Sequence, residues 1–171
     1  MIVEIILLLF IVFLFIILSM IWPPDSPWAP WWRTNKDVAR EMCKMVQITK
    51  KDVIYDLGCG EGTAVLTAAT EYGAHCVGIE IDPIRYYIAK MRVLINGLKE
   101  KVSIKRCNFF AINLSEASII FVYLVPKTLQ RLKPKFLKEL KKGTRIISYR
   151  YEMDLPLLKK DSRRGIFIYK I

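Results

Sequence analysis

An apolar run that breaks straight into a glycine-rich turn constrains this chain more than any other feature: Val53-Ile54-Tyr55-Asp56-Leu57-Gly58-Cys59-Gly60-Glu61-Gly62-Thr63. It predicts a strand, a tight turn and the first residues of a helix. Glycine tolerates positive φ and has no side chain, so the N–H groups of such a turn can approach a ligand closely. The spacing is G-x-G-x-G, with Asp56 two residues ahead of Gly58; a dinucleotide fingerprint requires its third glycine where Thr63 stands. A second acid, Glu80, closes the next predicted strand, Cys76-Val77-Gly78-Ile79-Glu80. It lies about twenty residues beyond the turn, the separation at which a carboxylate reaches ribose hydroxyls.

The chain has 171 residues, room for one ordinary domain, and combines 53% hydrophobic residues with a net charge of +11. The two are reconciled by the N-terminus, where Ile2 to Ile21 carries one charge, Glu4. About twenty apolar residues match the ~30 Å hydrocarbon core as a helix. With no basic n-region and no A-x-A site, residues 1–22 read as a retained transmembrane anchor rather than a cleaved signal peptide. Arg33, Lys36, Arg40, Lys44, Lys50 and Lys51 all follow the span, which predicts a single-pass membrane protein with its domain in the cytoplasm. Residues 23–34 read as a stiff Pro/Trp linker. For its Trp28, Trp31 and Trp32 two readings stay open: an interfacial aromatic belt continuing from Trp22, or a cover over a cofactor or substrate channel.

The remainder, residues 35–171, alternates strands and helices. Thr34 reads as the N-cap of a helix with a stripe at Val38, Met42, Met45 and Val46, and Gly73 stops the helix begun at Thr63. Asp82-Pro83 opens a helix predicted to face inward through Ile84, Ile88, Met91 and Ile95, up to Asn96-Gly97. Val102–Cys107 and the continuously apolar Ile119–Tyr123 read as strands, and Pro126 opens a helix that Pro134 is expected to break or kink. Arg145–Arg150 and Gly165–Ile171 read as the last two strands. Short connections between alternating elements predict an α/β fold with a doubly wound, mostly parallel sheet, which binds ligands at the carboxyl ends of its strands. Four cysteines (Cys43, Cys59, Cys76, Cys107) without C-x-x-C spacing and a single His75 argue against a zinc site and for buried thiols. The basic residues of Lys127–Arg150, Lys159-Lys160 and Arg163-Arg164 read first as a solvated face, then as attraction to anionic lipid, and last as a nucleic-acid surface.

The glycine turn with its two acids resembles motif I of the class I S-adenosylmethionine-dependent methyltransferases. Taken with Gly78-Ile79-Glu80-Ile81-Asp82-Pro83, Val122-Tyr123-Leu124-Val125-Pro126 and Ile147-Ser148-Tyr149-Arg150, the chain is similar over about residues 27–151 to the small membrane-anchored protein lysine methyltransferases. That family includes the mitochondrial enzymes that modify the c subunit of ATP synthase and the adenine nucleotide translocase. The resemblance implies a Rossmann-like domain that uses S-adenosylmethionine, releases S-adenosylhomocysteine and acts on a lysine of a membrane or membrane-proximal protein. It places Asp56, Gly58, Cys59, Gly60, Gly62 and Thr63 around the methionine moiety, Glu80 at the ribose, Ile81 against adenine, and Asn108 and Phe109 near its amino edge. Asn108 departs from the usual Asp, and the short tail is expected to lack the helix and full strand pair of longer relatives.

Methyl transfer from a sulfonium is an in-line displacement that needs alignment more than a strong base. An aromatic slot disfavours the charged form of an entering amine. Tyr123 is the candidate to orient that amine; a half-buried strand-end tyrosine satisfied by the backbone is the alternative. Methylation of a small molecule, a lipid or nucleic acid, and a non-catalytic cofactor-binding module, are the other functional readings. Nucleic-acid amino methylation is disfavoured because Tyr123-Leu124-Val125-Pro126 lacks the [DNS]-P-P-[YF] pattern.

Overall fold

The computed structural model of the chain describes residues 2–21 and 34–171. These form helices α1 (Ile2–Ile21), α2 (Lys36–Val46), α3 (Thr63–Tyr72), α4 (Pro83–Ile95) and α5 (Pro126–Glu139), and strands β1 (Val53–Leu57), β2 (His75–Glu80), β3 (Val102–Arg106), β4 (Ile119–Val122), β5 (Arg145–Tyr149), β6 (Leu157–Asp161) and β7 (Ile166–Lys170). The strands make one sheet in the order β3-β2-β1-β4-β5-β7-β6. The first five pair in parallel, and β7 enters antiparallel between β5 and β6. The class I methyltransferase architecture expected from the sequence is therefore present.

Alternate residues of each central strand feed two cores. Ile54, Phe121 and Ile147 pack with α2 and α3 on one face; Tyr55, Ile120, Val122 and Ile146 pack with Leu129, Leu132 and Phe136 of α5 on the other. At the amino ends of the strands the Asp52 carboxylate joins three segments. It accepts from Thr49 N (2.8 Å), the Ser118 hydroxyl (2.8 Å) and Arg145 Nη2 (2.6 Å), fixing β1, β4 and β5 in register.

Local details differ from expectation for identifiable reasons. The cap of α2 is Asn35, whose side chain accepts from Asp37 N at 3.1 Å, not Thr34. Helix α4 buries Arg85, Ala89 and Val93, leaving Met91 and Ile95 exposed. Its inward face is set by Arg85, held beside the N-cap Asp82, rather than by the apolar stripe. Helix α5 runs through Pro134 unbroken: the ring lies on the exposed side, where water can take the freed Gln130 carbonyl, while Leu132 and Phe136 anchor both flanks. The tail, expected to hold one terminal strand at Gly165–Ile171 and to lack the helix and full strand pair of longer relatives, forms that strand as β7 and pairs it with β6 in a hairpin.

Helix α1 forms at the predicted position, with its described side chains exposed. The expectations of a transmembrane helix, of membrane attachment through it and of a single-pass membrane protein with a cytoplasmic domain are corrected here. Among the described residues no helix is long and apolar enough to cross a membrane. The expectations for Trp22, Trp28, Trp31 and Trp32 lie outside the described residues.

Candidate functional site

Strand β1 ends at Leu57, and Gly58, Gly60 and Gly62 follow with φ of 82°, 55° and 78°. Three left-handed residues in five explain why the sequence places glycine there. The turn is tied to β2 by Gly58 N and Cys59 N, which both donate to Ile79 O at 2.8 and 2.9 Å, and it closes on itself through Gly62 N to Cys59 O at 2.8 Å. Gly78 completes the fit from below, since a Cβ there would lie 2.8 Å from both Cys59 Sγ and Ile104 Cδ1. Arg92, from α4, donates to Glu61 O at 2.7 Å and to the Thr63 hydroxyl at 3.3 Å. Sequence reasoning misses that clamp, and no local pattern signals it across some thirty residues.

The two acids meet at this turn. Glu80 Oε2 accepts from Gly60 N at 2.8 Å, and Oε1 accepts from Ile81 N and Asp82 N at 2.9 Å each. Burial pushes its carboxyl up, and the N–H groups of Asp82 and Gly60 pull it part of the way back. Asp56 differs, because it is buried and accepts no hydrogen bond from any described residue. Burial, reinforced by repulsion from Glu80, raises its carboxyl from 3.8 to about 7. A buried carboxylate without a donor is costly, and here it stands beside a cradle of backbone amides. That donor set suits a ligand bringing its own cation and hydroxyls, as the methionine and ribose ends of S-adenosylmethionine do.

Around this pair, Ile81 is half-buried directly after Glu80, and Cys107 N donates to Glu80 O at 3.2 Å, so the Asn108-Phe109 corner abuts the end of β2. The Asn108 side chain caps its own loop by accepting from Phe110 N at 2.9 Å. Phe109 packs on Phe110 with ring centroids 4.9 Å apart. Register places Asp56, Phe121 and Ile147 side by side; Tyr123 and Tyr149 follow two residues further along on the same face. Their rings meet edge to face at 4.7 Å. Burial, then the neighbouring Tyr149, raises the Tyr123 hydroxyl, with the Arg150 guanidinium pulling the other way. The structure thus brings the predicted glycine, acid, adenine-corner and Tyr123 residues to one end of the sheet. It adds Tyr149, to which sequence reasoning assigns no role.

The ANTKMT methyltransferase domain family matches residues 56–157. A protein-lysine N-methyltransferase of Saccharolobus islandicus is 36% identical over 135 residues, 78% of this chain and 82% of that protein. An adenine nucleotide translocase lysine N-methyltransferase of Mus musculus is 31% identical over 99 residues, 57% of this chain and 43% of that protein, so the match spans less than half of that relative's length. The solved structure of an RNA methyltransferase from Salinibacter ruber in complex with S-adenosyl-L-homocysteine superposes with a TM-score of 0.77 at 30% identity, covering 82% of this chain and 94% of that one.

Proposed function

The chain belongs to the ANTKMT methyltransferase domain family, and from that membership we propose that it methylates the ε-amine of lysine in a protein substrate. It is a methyltransferase that uses S-adenosylmethionine. The observation that carries the proposal is the buried, donorless Asp56 beside a glycine cradle, one row of side chains from the Tyr123–Tyr149 pair.

Asp56 and the amides of the turn from Gly58 to Thr63, Cys59 among them, would hold the methionine moiety. Glu80 would hold the ribose through Oε2, which accepts only from Gly60 N and keeps a lone pair, whereas Oε1 spends both on Ile81 N and Asp82 N. Ile81, Asn108 and Phe109 would border the adenine. When bound, the cofactor supplies a methyl group on an electrophilic sulfonium. The contribution of the chain is then alignment, worth on the order of 7–11 kcal/mol in well-oriented systems. In this reading Tyr123 and Tyr149 form the walls of a slot that receives the amine. Their rings disfavour a localised full charge less than hydrocarbon would, and more than water does, so they ease loss of the lysine proton. The Tyr123 hydroxyl, raised above its ordinary range, stays neutral and accepts from the entering amine.

A second reading is methylation of RNA, favoured by the likeness to the Salinibacter RNA methyltransferase. The two separate in one experiment. The full chain is incubated with methyl-labelled S-adenosylmethionine and cell extract, and the products are treated with protease, ribonuclease or organic solvent. We expect protease-sensitive label that hydrolyses to methyl-lysine. Label released by ribonuclease would replace this reading with the RNA one, and label extracted with lipid would refute both. Fractionating the labelled proteins tests the finer expectation, a membrane or membrane-proximal substrate, in keeping with the relative named for the adenine nucleotide translocase.

A further inference from the structure

We propose that a groove leading from the Tyr123–Tyr149 slot along α2 to the β6–β7 hairpin docks an acidic segment of the substrate protein beside the modified lysine. This rests on the lysine reading above and extends its site outward. A cleft of about 510 Å³ opens at Tyr149, with the Asp37–Arg40 and Glu41–Lys44 pairs of α2 on one wall and Arg150 and Arg163 on the other. Arg163 also borders a second cleft of about 400 Å³ with Lys159, Lys160, Asp161 and Met45, so the two clefts adjoin at Arg163.

The cations on this path are available. Lys159, Lys160 and Arg163 are exposed, and among the described residues their side chains make no ion pair. By contrast Arg164 is spent on Asp161 at 2.9 Å, and Arg40 on Glu71 at 2.9 Å. Arg150 marks the mouth of the groove: its φ is 73°, a conformation rare for a residue with a side chain. Its N–H donates to Gly165 O at 2.7 Å, and its guanidinium sits 5.2 Å from the centre of the Tyr149 ring. The backbone is thus held in an unfavourable shape that carries a cation to the edge of the aromatic slot.

The charge pattern selects the occupant. A polynucleotide presents phosphate at every step and would need cations all along its track, whereas the α2 wall is made of the neutralised pairs Asp37–Arg40 and Glu41–Lys44 and the free cations stand on the other side alone. A polypeptide alternates its charges and can set carboxylates against Arg150, Arg163 and Lys160 while its lysine enters the slot. Exposed cation–carboxylate pairs are individually weak, so about three acting together are needed for roughly tenfold selectivity.

The test uses the full chain and fluorescent peptides with one central lysine flanked by glutamates, or by glutamines as control, read by anisotropy at physiological salt. We expect the glutamate peptide to bind about tenfold tighter. Charge reversal at exposed positions, Lys160→Glu with Arg163→Glu, should erase the difference while leaving the melting temperature unchanged. Equal binding of both peptides by the wild type overturns the proposal, as does a uridine oligonucleotide that binds tighter than the glutamate peptide and loses affinity in the same variant. Label from S-adenosylmethionine distinguishes the two levels. Equal binding with labelled lysine sinks the groove alone, whereas selective binding with no label in any lysine supports the groove and sinks the lysine reading.

Discussion

Replacing Asp56 by asparagine should make the protein more stable and useless at the same time. The carboxyl is buried, has no donor among the described residues, and is raised from 3.8 to about 7. Between those values the folded state binds a proton that the unfolded state has released. The contribution of Asp56 is therefore fully favourable below about pH 3.8 and is lost as pH rises to 7. The gap corresponds, at about 1.4 kcal/mol per pKa unit, to about 4 kcal/mol of destabilisation at pH 8. Asparagine keeps the size and cannot ionise. Urea denaturation should show the variant more stable than wild type by about 2–4 kcal/mol at pH 8, by about 1–2 kcal/mol at pH 5 and similar to it near pH 3.5. Calorimetry with S-adenosylmethionine should show affinity reduced at least about a hundredfold, because the lost partner is a buried charge facing a cation. Wild-type affinity should itself weaken about tenfold from pH 7.5 to pH 6, as protonation of Asp56 competes with the ligand. Equal stability of the two proteins at pH 8, with unchanged affinity, would refute the reasoning.

Other perturbations probe the surrounding frame. Gly78→Ala sets a methyl group 2.8 Å from Cys59 Sγ and Ile104 Cδ1; it should cost about 1–3 kcal/mol and weaken cofactor binding by displacing the turn, read by denaturation and calorimetry. Arg145→Ala removes the donors to the Asp52 carboxylate and to Val46 O, with an expected loss of about 2 kcal/mol in urea. Burial opposes the charge on Asp52, but hydrogen bonds from Thr49 and Ser118 with the charge of Arg145 hold its carboxyl below 3.8. Its contribution is thus present above pH 3.8 and lost as the pH falls further, so the acid limb of the wild-type stability curve should flatten in Asp52→Asn. Tyr123→Phe and Tyr149→Phe keep the aromatic pair; if Tyr123 orients the amine, only the first should lower kcat, by about tenfold, with KM for S-adenosylmethionine unchanged.

What could be read from the sequence is what is built locally. The cofactor cradle is a strand, a turn and an acid within some two dozen residues, and each part has its own chemical signature: positive φ at Gly58, Gly60 and Gly62, and carboxylates at the ends of β1 and β2. The errors arise where a distant residue decides. Helix α4 turns Arg85 inward because Asp82 holds it there, so a hydrophobic stripe through Met91 and Ile95 pointed the wrong way. Strand β6 has no alternation to announce it, since Leu157-Leu158-Lys159-Lys160 is exposed throughout, with Asp161 half-buried after it, and the strand is extended only because β7 pairs with it.

The proposed acceptor side of the site belongs entirely to this second kind. Tyr123 follows β4 and Tyr149 ends β5, and the groove beyond them needs α2 and a hairpin more than a hundred residues later in the chain. On the proposed assignment, a relative can keep the glycine turn and both acids, and with them the cofactor, while changing its acceptor through substitutions that no short motif records. That separation accounts for a lysine methyltransferase and an RNA methyltransferase both resembling this chain at 30% identity or above. It also implies that exchanging the β6–β7 hairpin between such relatives should alter acceptor preference while cofactor affinity stays within about twofold, because the hairpin packs on β5 and touches neither acid. Loss of S-adenosylmethionine binding in a folded exchange variant would show that the two halves are coupled, and that the acceptor side cannot be treated as a graft on a fixed cofactor platform.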